Sequence, residues 1–293
     1  MRVFSGWWVL LGLFLIYTAN NGILINTLPL FYPELIKEFG WNEEQVTRPA
    51  TLFFIVAAVL TPFIGALFDR FSTRLIMVIG ILAVAAALIV YPQVKSLGQL
   101  TAVYMVFALG LAGAGLVPNM LILTRWFRRY RGIAVGILLM GSSIGGALFP
   151  LIARNTFVNQ GWREAVMLVA IVGTVMMLAS IVLLVRNRPE DKGLAPDGDA
   201  VAPAEVDAPT AAPGMTLGQA ARTPAFYLLM FATGGMWFCI VGVIQHQAIF
   251  LGQDLGVSDA VLPVVLSVFF CSAVAGKLLF GYLGDRFNKT FIM

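Results

Sequence analysis

The sequence predicts an all-α polytopic membrane protein, and three observations carry that prediction. Hydrophobic residues make up 59% of the 293 and charged residues only 12%, whereas a soluble domain carries about a quarter charged residues. The apolar residues fall in successive stretches of roughly 20 or more, long enough to cross about 30 Å of hydrocarbon as helices. Stretches such as ILAVAAALIV do not alternate in polarity, so they do not predict the strands of a membrane β-barrel.

Eight such stretches follow one another along the chain. The predicted helices are Trp7–Tyr32, Val46–Phe68, Leu75–Val94, Leu100–Phe127, Gly132–Phe157, Arg163–Val185, Ala225–Leu251 and Ala260–Gly284. The first is too long to be the core of a cleavable signal peptide. Cys239 and Cys271 both lie inside apolar stretches, and we interpret them as small packing residues rather than as a disulfide or metal ligands.

A change in composition divides the chain into two groups of helices. Residues 186–214 are rich in Pro, Ala, Asp and Glu and contain no aromatic residue. Such a segment cannot bury enough surface to fold, so we expect it to be mobile. The predicted organisation is a six-helix bundle over residues 1–186, a linker over 187–221 and a partial second bundle over 222–293.

The distribution of Lys and Arg predicts the orientation. With the N-terminus in the cytoplasm, thirteen of the 19 basic residues fall in inside regions and five outside, and Lys277 remains within a helix. We therefore expect a multi-pass protein of the inner or plasma membrane with a cytoplasmic N-terminus.

A short sequence motif occurs twice, and below it is called the repeated phrase. GALFDRF begins at Gly65 and closes the second predicted helix, and GYLGDRF begins at Gly281, 216 positions later, and closes the eighth. Two tandem six-helix units produce this offset. Parallel repeats of this kind build many secondary transporters, with the substrate between the halves near the bilayer midplane.

The pattern G-x-L-x-D-R-x-x-x-R over residues 65–74, with its echo after the eighth helix, resembles the signature loop of the major facilitator superfamily. The segments SGWWVL, WFRRYRGIAVGILLMGSSIGG and RPEDKGLAPDGD, and the position of Lys277, are similar to the monocarboxylate and oxalate/formate-type transporters of that superfamily. The resemblance covers the whole chain. It implies a twelve-helix transporter that works by alternating access and is monomeric when complete. We therefore expect this chain to be truncated after the eighth helix, with a six-helix N-terminal bundle and the first two helices of the C-terminal bundle.

The repeated loop has two interpretations. The resemblance implies a gating element that holds the cytoplasmic side shut in one state, and a simple positive-inside anchor is the alternative. Gly65 is expected to permit close helix contact, and the carboxylates of Asp69 and Asp285 lie at helix C-termini, where the helix dipole disfavours them unless they are paired. The basic residues near enough to pair with them are Arg70, Arg74, Arg286 and Lys289.

Lys277 is a charge inside the eighth predicted helix, about 10 Å from its cytoplasmic end. A lysine at the bilayer centre costs about 2.5–3.5 kcal/mol, and such residues usually face a cavity. Either Lys277 faces a cavity, or its stem snorkels towards the interface. The resemblance implies a substrate role, because an arginine often stands at this position and binds the substrate carboxylate. Lysine supplies the charge without the bidentate fork.

Other polar residues lie within the predicted helices. Tyr17, Asn20 and Asn21 share one face of the first helix and either line the transport path or bond to neighbouring helices. Asn119, in the glycine-rich fourth helix, is a further candidate for the path, although helix packing alone explains the glycines beside it.

The seventh and fifth helices add further polar and small residues. The only histidine, His246, lies between two glutamines and either relays a proton or is a hydrated interfacial residue. Three consecutive polar residues cannot share one helix face, so at least one must meet a cavity or a break. The fifth helix contains two G-x-x-x-G patterns that predict close helix packing, and Arg154 is expected to anchor its outer end. These patterns begin at Gly132 and Gly141.

We therefore expect a secondary active transporter of small organic anions, monocarboxylate-like, coupled to protons or working by exchange. The expected partners are the anion, the proton and the lipid bilayer. The candidate substrate-binding residues are Lys277, Tyr17, Asn20, Asn21 and Asn119. The proton-coupling candidate is His246, and the gating-loop residues are Gly65, Asp69, Arg70, Arg74, Gly281, Asp285 and Arg286.

Two other functions remain open: an exporter of drugs or uncharged metabolites, for which Lys277 would be structural, and a non-transporting membrane sensor. The sequence has no phosphate loop, catalytic triad or metal-ligand spacing, so we expect no enzymatic activity, no cofactor and no metal. The scattered arginines do not predict nucleic-acid binding.

Overall fold

Eight long helices make up most of the computed structural model, which describes residues 4–198 and 217–286, without the side chains at 69, 191, 192, 217, 278 and 280–286. The helices are α1 Ser5–Phe39, α2 Glu43–Arg70, α3 Thr73–Val90, α4 Leu97–Trp126, α5 Arg131–Gln160, α6 Trp162–Leu183, α7 Pro224–Ile249 and α8 Leu262–Arg286. Seven are long and apolar enough to cross a membrane, and α8 carries a shorter apolar stretch, Leu262–Lys277. The all-α polytopic fold is confirmed, because every long element of the described chain is a helix, which makes most of its backbone hydrogen bonds within the span.

The two ends of the bundle are named here by the residues at which helices begin. We call the end with Ser5 and Arg131 the N-terminal face, and the end with Glu43 and Trp162 the opposite face. The repeated phrase lies at the N-terminal face in both copies, since α2 ends at Arg70 and α8 is described to Arg286, 216 positions apart.

Helix α1 is longer than the sequence predicts and is irregular in its second half. A π-helical segment, Gly22–Thr27, is followed by a 3₁₀ segment, Leu28–Phe31, and then by a short α-helical segment that ends at Gly40 in the left-handed conformation. Pro29 has no N–H and cannot donate a helical hydrogen bond, and the side-chain amide of Gln245 on α7 lies 3.4 Å from the backbone oxygen of Ile25. The irregular segment of α1 therefore offers a backbone acceptor to its neighbours.

Helix α4 is broken at Gly115, where the backbone leaves the helical conformation. Pro118 cannot donate to the carbonyl of Ala114 because it has no N–H. The side-chain amide of Asn119 replaces that bond. Its nitrogen donates to the backbone oxygen of Ala114 at 2.9 Å and to that of Gly115 at 2.6 Å. Asn119 therefore stabilises the break in α4.

The glycine patterns of α5 have different neighbours. A Cβ atom at Gly145 would collide with the backbone of Thr18 and Gly22 on α1, so α1 and α5 touch through their backbones here. A Cβ atom at Gly132 or Gly136 would meet no described atom within 4 Å. The prediction of close packing is correct for the second pattern and wrong for the first within the described chain, because the first lies on α5 where no described helix approaches.

The first part of the linker is ordered and packs against the bundle. The backbone oxygen of Arg186 accepts a bond from the indole of Trp126, and Leu194 packs against the core. The carboxylate of Asp197 accepts bonds from the backbone N–H groups of Arg128 and Arg129 at 2.9 and 2.8 Å. Residues 186–198, which the sequence predicts to be mobile, thus contact the bundle in this structure, and residues 199–216 lie outside the described chain.

Helices α7 and α8 pack against the first six helices. Helix α7 lies against the irregular part of α1, and α8 packs along α5. At the opposite face the guanidinium of Arg154 donates to the carbonyl of Ala260, just before α8, at 2.8 Å. Arg154 thus binds the other group of helices, whereas the sequence predicts only an interfacial anchor.

Candidate functional site

Lys277 extends its side chain towards α5. Its ammonium donates to the hydroxyl oxygen of Ser143 at 2.8 Å and to the backbone oxygen of Leu139 at 3.2 Å. Ser143 lies twelve residues from the start of α5 at Arg131, about 18 Å along a helix about 45 Å long. The ammonium of Lys277, a residue that is exposed in the described chain, therefore contacts α5 within its length and not at its end.

Lys277 has no carboxylate partner in the part of the chain that the structure describes. The two ion pairs recorded there join Lys37 to Glu34 and Arg163 to Glu38, both near the opposite face. Both acceptors of the Lys277 ammonium are neutral oxygens, so its charge is solvated by dipoles and is not compensated. An uncompensated cation within a membrane span is a characteristic of ion and substrate pathways.

A cavity of about 290 Å³ lies between α1, α2, α4 and α7. Tyr17 and Asn21 contribute polar groups to its wall, and Phe54 from α2 and Trp237 from α7 contribute aromatic rings. Two of the three candidate residues of α1 thus reach one cavity, at the contact between the six-helix bundle and α7.

Asn20 directly precedes Asn21 in the sequence and is fully buried. Neither atom of its side-chain amide has a hydrogen-bond partner among the described residues, and the side-chain oxygen of Asn21 also has none. Leaving a buried polar group unsatisfied costs about 1–3 kcal/mol. These amides do not act as interhelical glue within the described chain, and they are available to a water molecule or a ligand.

Asn119 is buried, but its amide nitrogen is used within α4, as described above. Its side-chain oxygen is buried without a partner among the described residues. The structure places it at the helix break and not on the walls of the cavity that Tyr17 lines.

The three consecutive polar residues of α7 point in different directions. Gln245 is buried against α1, whereas His246 is exposed, and both residues line a second cavity, of about 440 Å³, between α2 and α7. Phe54 and Trp237 contribute to the walls of both cavities.

Gln245 joins α7 to a buried pair of tyrosines that the sequence analysis did not single out. Tyr32 donates to the side-chain oxygen of Gln245 at 2.9 Å, and the hydroxyl groups of Tyr32 and Tyr104 are also 2.9 Å apart. The amide nitrogen of Gln245 lies 3.4 Å from the backbone oxygen of Ile25, in the irregular segment of α1. The polar residue Gln245 in an apolar helix was the available signal, but its partners lie more than 200 positions away.

The first copy of the repeated loop binds the end of α6. The guanidinium of Arg74 donates to the carbonyls of Ile181 and Val182, both at 3.0 Å, and its backbone N–H donates to Asn187. Arg74 therefore caps a helix C-terminus, where a cation is favoured. Arg70 is exposed, and Gly65 makes no close contact with a described atom, so the predicted helix contact at Gly65 is not seen in this part of the chain. The surroundings of Asp69, Gly281, Asp285 and Arg286 lie outside the description.

Comparisons with known proteins agree with this architecture. The chain is 23% identical over 292 residues to the MFS-type transporter pytF of Aspergillus terreus, with 98% of this chain and 91% of that protein covered. It is 28% identical over 286 residues to monocarboxylate transporter 11 of Mus musculus, with 96% and 60% covered.

A solved structure has the same fold. The inward-facing, unoccupied crystal structure of a bacterial homologue of the human lysosomal transporter Spinster superposes with a TM-score of 0.75 at 21% identity. The match covers 99% of this chain and 64% of that one, so the chain spans about two thirds of the solved protein. The sequence profile of the Major Facilitator Superfamily matches residues 9–293. With eight helices in the same arrangement and a family match along nearly its whole length, the chain belongs to the Major Facilitator Superfamily.

Proposed function

We propose that the protein is a secondary active transporter that moves small organic anions, of the monocarboxylate kind, by alternating access. The observation that carries this proposal is the ammonium of Lys277, which lies deep along α5 and is bonded to two neutral oxygens. A carboxylate that bound there would compensate the charge and would gain a charge-assisted hydrogen bond. Lys277 is thus the proposed substrate ligand.

The cavity beside α1, which Lys277 does not line, is a separate candidate for part of the transport path. Tyr17 and Asn21 line a cavity at the contact between the six-helix bundle and α7, and superfamily transporters bind their substrates between such halves. The side-chain oxygen of Asn21, which has no hydrogen-bond partner among the described residues, is an acceptor that a small polar solute in this cavity can use. A 290 Å³ chamber lies at the lower end of the range for small-molecule sites, which suits a small acid.

We further propose that transport is coupled to protons or to exchange of a second anion. His246 is the candidate relay, since it is exposed in the second cavity and an imidazole can both accept and donate a proton. The similarity to monocarboxylate transporter 11 of the mouse supports the substrate class. The excess of Lys and Arg at the N-terminal face supports a cytoplasmic N-terminus in a cell membrane.

The test is uptake by the full-length protein that carries this chain, reconstituted in proteoliposomes. We expect accumulation of radiolabelled lactate, acetate or oxalate, with competition by the other two acids and none by uncharged solutes of similar size. Lys277→Gln removes the charge and should abolish uptake, whereas Lys277→Arg should retain part of it. The matched control is Lys37→Gln, which removes an exposed lysine at the opposite face.

Size-exclusion chromatography of each variant establishes that it is folded. Full uptake by Lys277→Gln would remove the site assignment. Competition by neutral compounds instead of acids would favour an exporter of uncharged metabolites, and ligand binding without net flux would favour a sensor.

A further inference from the structure

We propose that Ser143 is a second ligand of the transported anion, acting beside Lys277 on the facing helix. This inference rests on the proposed function and names a residue that sequence reasoning did not select. Ser143 lies on α5 in a segment of small residues, and its hydroxyl oxygen is 2.8 Å from the ammonium of Lys277.

The hydrogen-bond donors that remain available to an anion follow from the protons of the Lys277 ammonium and the Ser143 hydroxyl. An ammonium has three protons, and the structure assigns two of them, to the oxygens of Ser143 and Leu139. A serine hydroxyl can donate one bond and accept two, and in the described chain that of Ser143 only accepts. One proton of Lys277 and one of Ser143 are therefore free on adjacent atoms. Two neighbouring donors suit the two oxygens of one carboxylate.

Ser143 is held in place more firmly than Lys277. It is 5% exposed, and its helix is fixed to α1 on its other side. There the amide of Asn26 donates to the backbone oxygen of Ser142 at 2.9 Å, and Gly145 contacts Gly22. The two consecutive serines thus face different helices: Ser142 contacts α1, and Ser143 contacts α8. A rigid hydroxyl beside a flexible ammonium orients a bound carboxylate without losing much further rotamer entropy.

If Ser143 instead has a different role, removing its hydroxyl should change KM in the opposite direction. If Ser143 only holds the ammonium while the site is empty, the anion must displace it, and removing the hydroxyl will tighten binding. If Ser143 donates to the bound anion, its bond to Lys277 is present both in the empty and in the anion-bound protein and does not affect the binding free energy. Removing the hydroxyl then weakens binding. The direction of the change in KM therefore separates a ligand from a resting partner.

The experiment measures KM and maximal rate for lactate, acetate and oxalate with the full-length protein in proteoliposomes. Ser143→Ala should raise KM about tenfold, as expected for a lost hydrogen bond to a charged group, and should leave the maximal rate nearly unchanged. Ser143→Thr keeps the hydroxyl and should retain a KM near that of the unchanged protein. Ser142→Ala is the matched control, since it removes the adjacent hydroxyl on the α1 side and should leave KM unaltered.

An unchanged or lower KM in Ser143→Ala would overturn the inference while leaving the proposed function in place. Absence of uptake of all three acids by the unchanged protein would overturn both. If Ser143→Ala does not give monodisperse protein, Ser143→Cys, of similar size and with a weak S–H donor, should show the same rise in KM.

Discussion

Tyr32 on α1 donates a 2.9 Å hydrogen bond to the side-chain oxygen of Gln245 on α7, and this bond joins the six-helix bundle to the first helix after the linker. Because the only proton of the Tyr32 hydroxyl goes to Gln245, the neighbouring Tyr104 supplies the proton of the bond between the two tyrosines. If α7 moves away, Tyr32 and Tyr104 remain bonded to each other. The contact can therefore break without leaving a buried tyrosine hydroxyl unsatisfied.

We predict that Gln245→Leu favours opening of the bundle at the opposite face. The variant loses the bonds to Tyr32 and to the Ile25 carbonyl, together worth about 1–2 kcal/mol, which shifts a two-state equilibrium by about tenfold. Distances between spin labels at the exposed positions Glu44 and Asp259 measure the shift, after Cys239 and Cys271 are replaced.

The control for this prediction is Gln247→Leu. It removes a glutamine from the same helix, two positions along, without removing a hydrogen bond recorded in the structure. A distance distribution that changes equally in both variants would contradict a specific role for Gln245.

We predict that Gly145→Ala destabilises the fold and that Gly136→Ala does not. The added methyl group at Gly145 collides with backbone atoms of Thr18 and Gly22, which cannot move as a side chain end can, so we expect a loss of about 1–3 kcal/mol or more. At Gly136 no described atom lies within 4 Å of the new methyl group. Thermal unfolding in detergent measures both, and equal melting temperatures would show that α1 and α5 are not in backbone contact.

The two recorded ion pairs should contribute unequally to stability. Glu38 accepts two 2.6 Å bonds from Arg163 and one of 2.7 Å from the indole of Trp162. Lys37 is 3.7 Å from Glu34, and its side chain is 74% exposed. We expect Arg163→Lys, which keeps the charge but loses the bidentate geometry, to lower stability by about 1 kcal/mol.

The comparison for the ion pairs is Lys37→Ala, which should leave the melting temperature unchanged within error, because exposed pairs contribute little. Thermal unfolding at low and high salt checks both variants. A larger loss in Lys37→Ala than in Arg163→Lys would contradict the geometry.

We predict that Asp197→Ala exposes the loop between α4 and α5 to trypsin. Asp197 binds the backbone N–H groups of Arg128 and Arg129 and so holds the start of the linker against that loop. Asp197→Asn is the matched variant, since its side-chain oxygen still accepts and asparagine tolerates the left-handed backbone of this position. Cleavage rates for the two variants should differ, and identical rates would mean that the linker does not protect the loop.

The eight helices were predictable from the sequence because each span must bury about 20 apolar residues whatever its neighbours are. The repeat was also predictable, since the motif at Gly65 closes α2 and the motif at Gly281 lies in the last described part of α8, 216 positions later. Local chemistry also indicated unusual positions, such as Lys277 and Gln245, because a polar group in an apolar helix requires a partner.

The partners themselves could not be predicted. Two G-x-x-x-G patterns on α5 are alike in sequence, yet only the second meets another helix. Asn119 was a candidate for the path, but Pro118 leaves a carbonyl that its amide satisfies locally. Residues 186–198 have the composition of a mobile linker, but Asp197 finds two backbone donors on a loop nearly 70 positions earlier.

By itself the sequence determined the class of protein, the number and order of the helices, the position of the repeat and the presence of a charge within a membrane span. Only the tertiary structure decided that this charge meets Ser143, 134 positions earlier, and that Tyr32 meets Gln245, 213 positions later. The physical reason is that membrane insertion depends on hydrophobicity summed along one helix. The partner of a polar side chain depends instead on which helices pack together, and that packing depends on many small contacts spread over the whole chain.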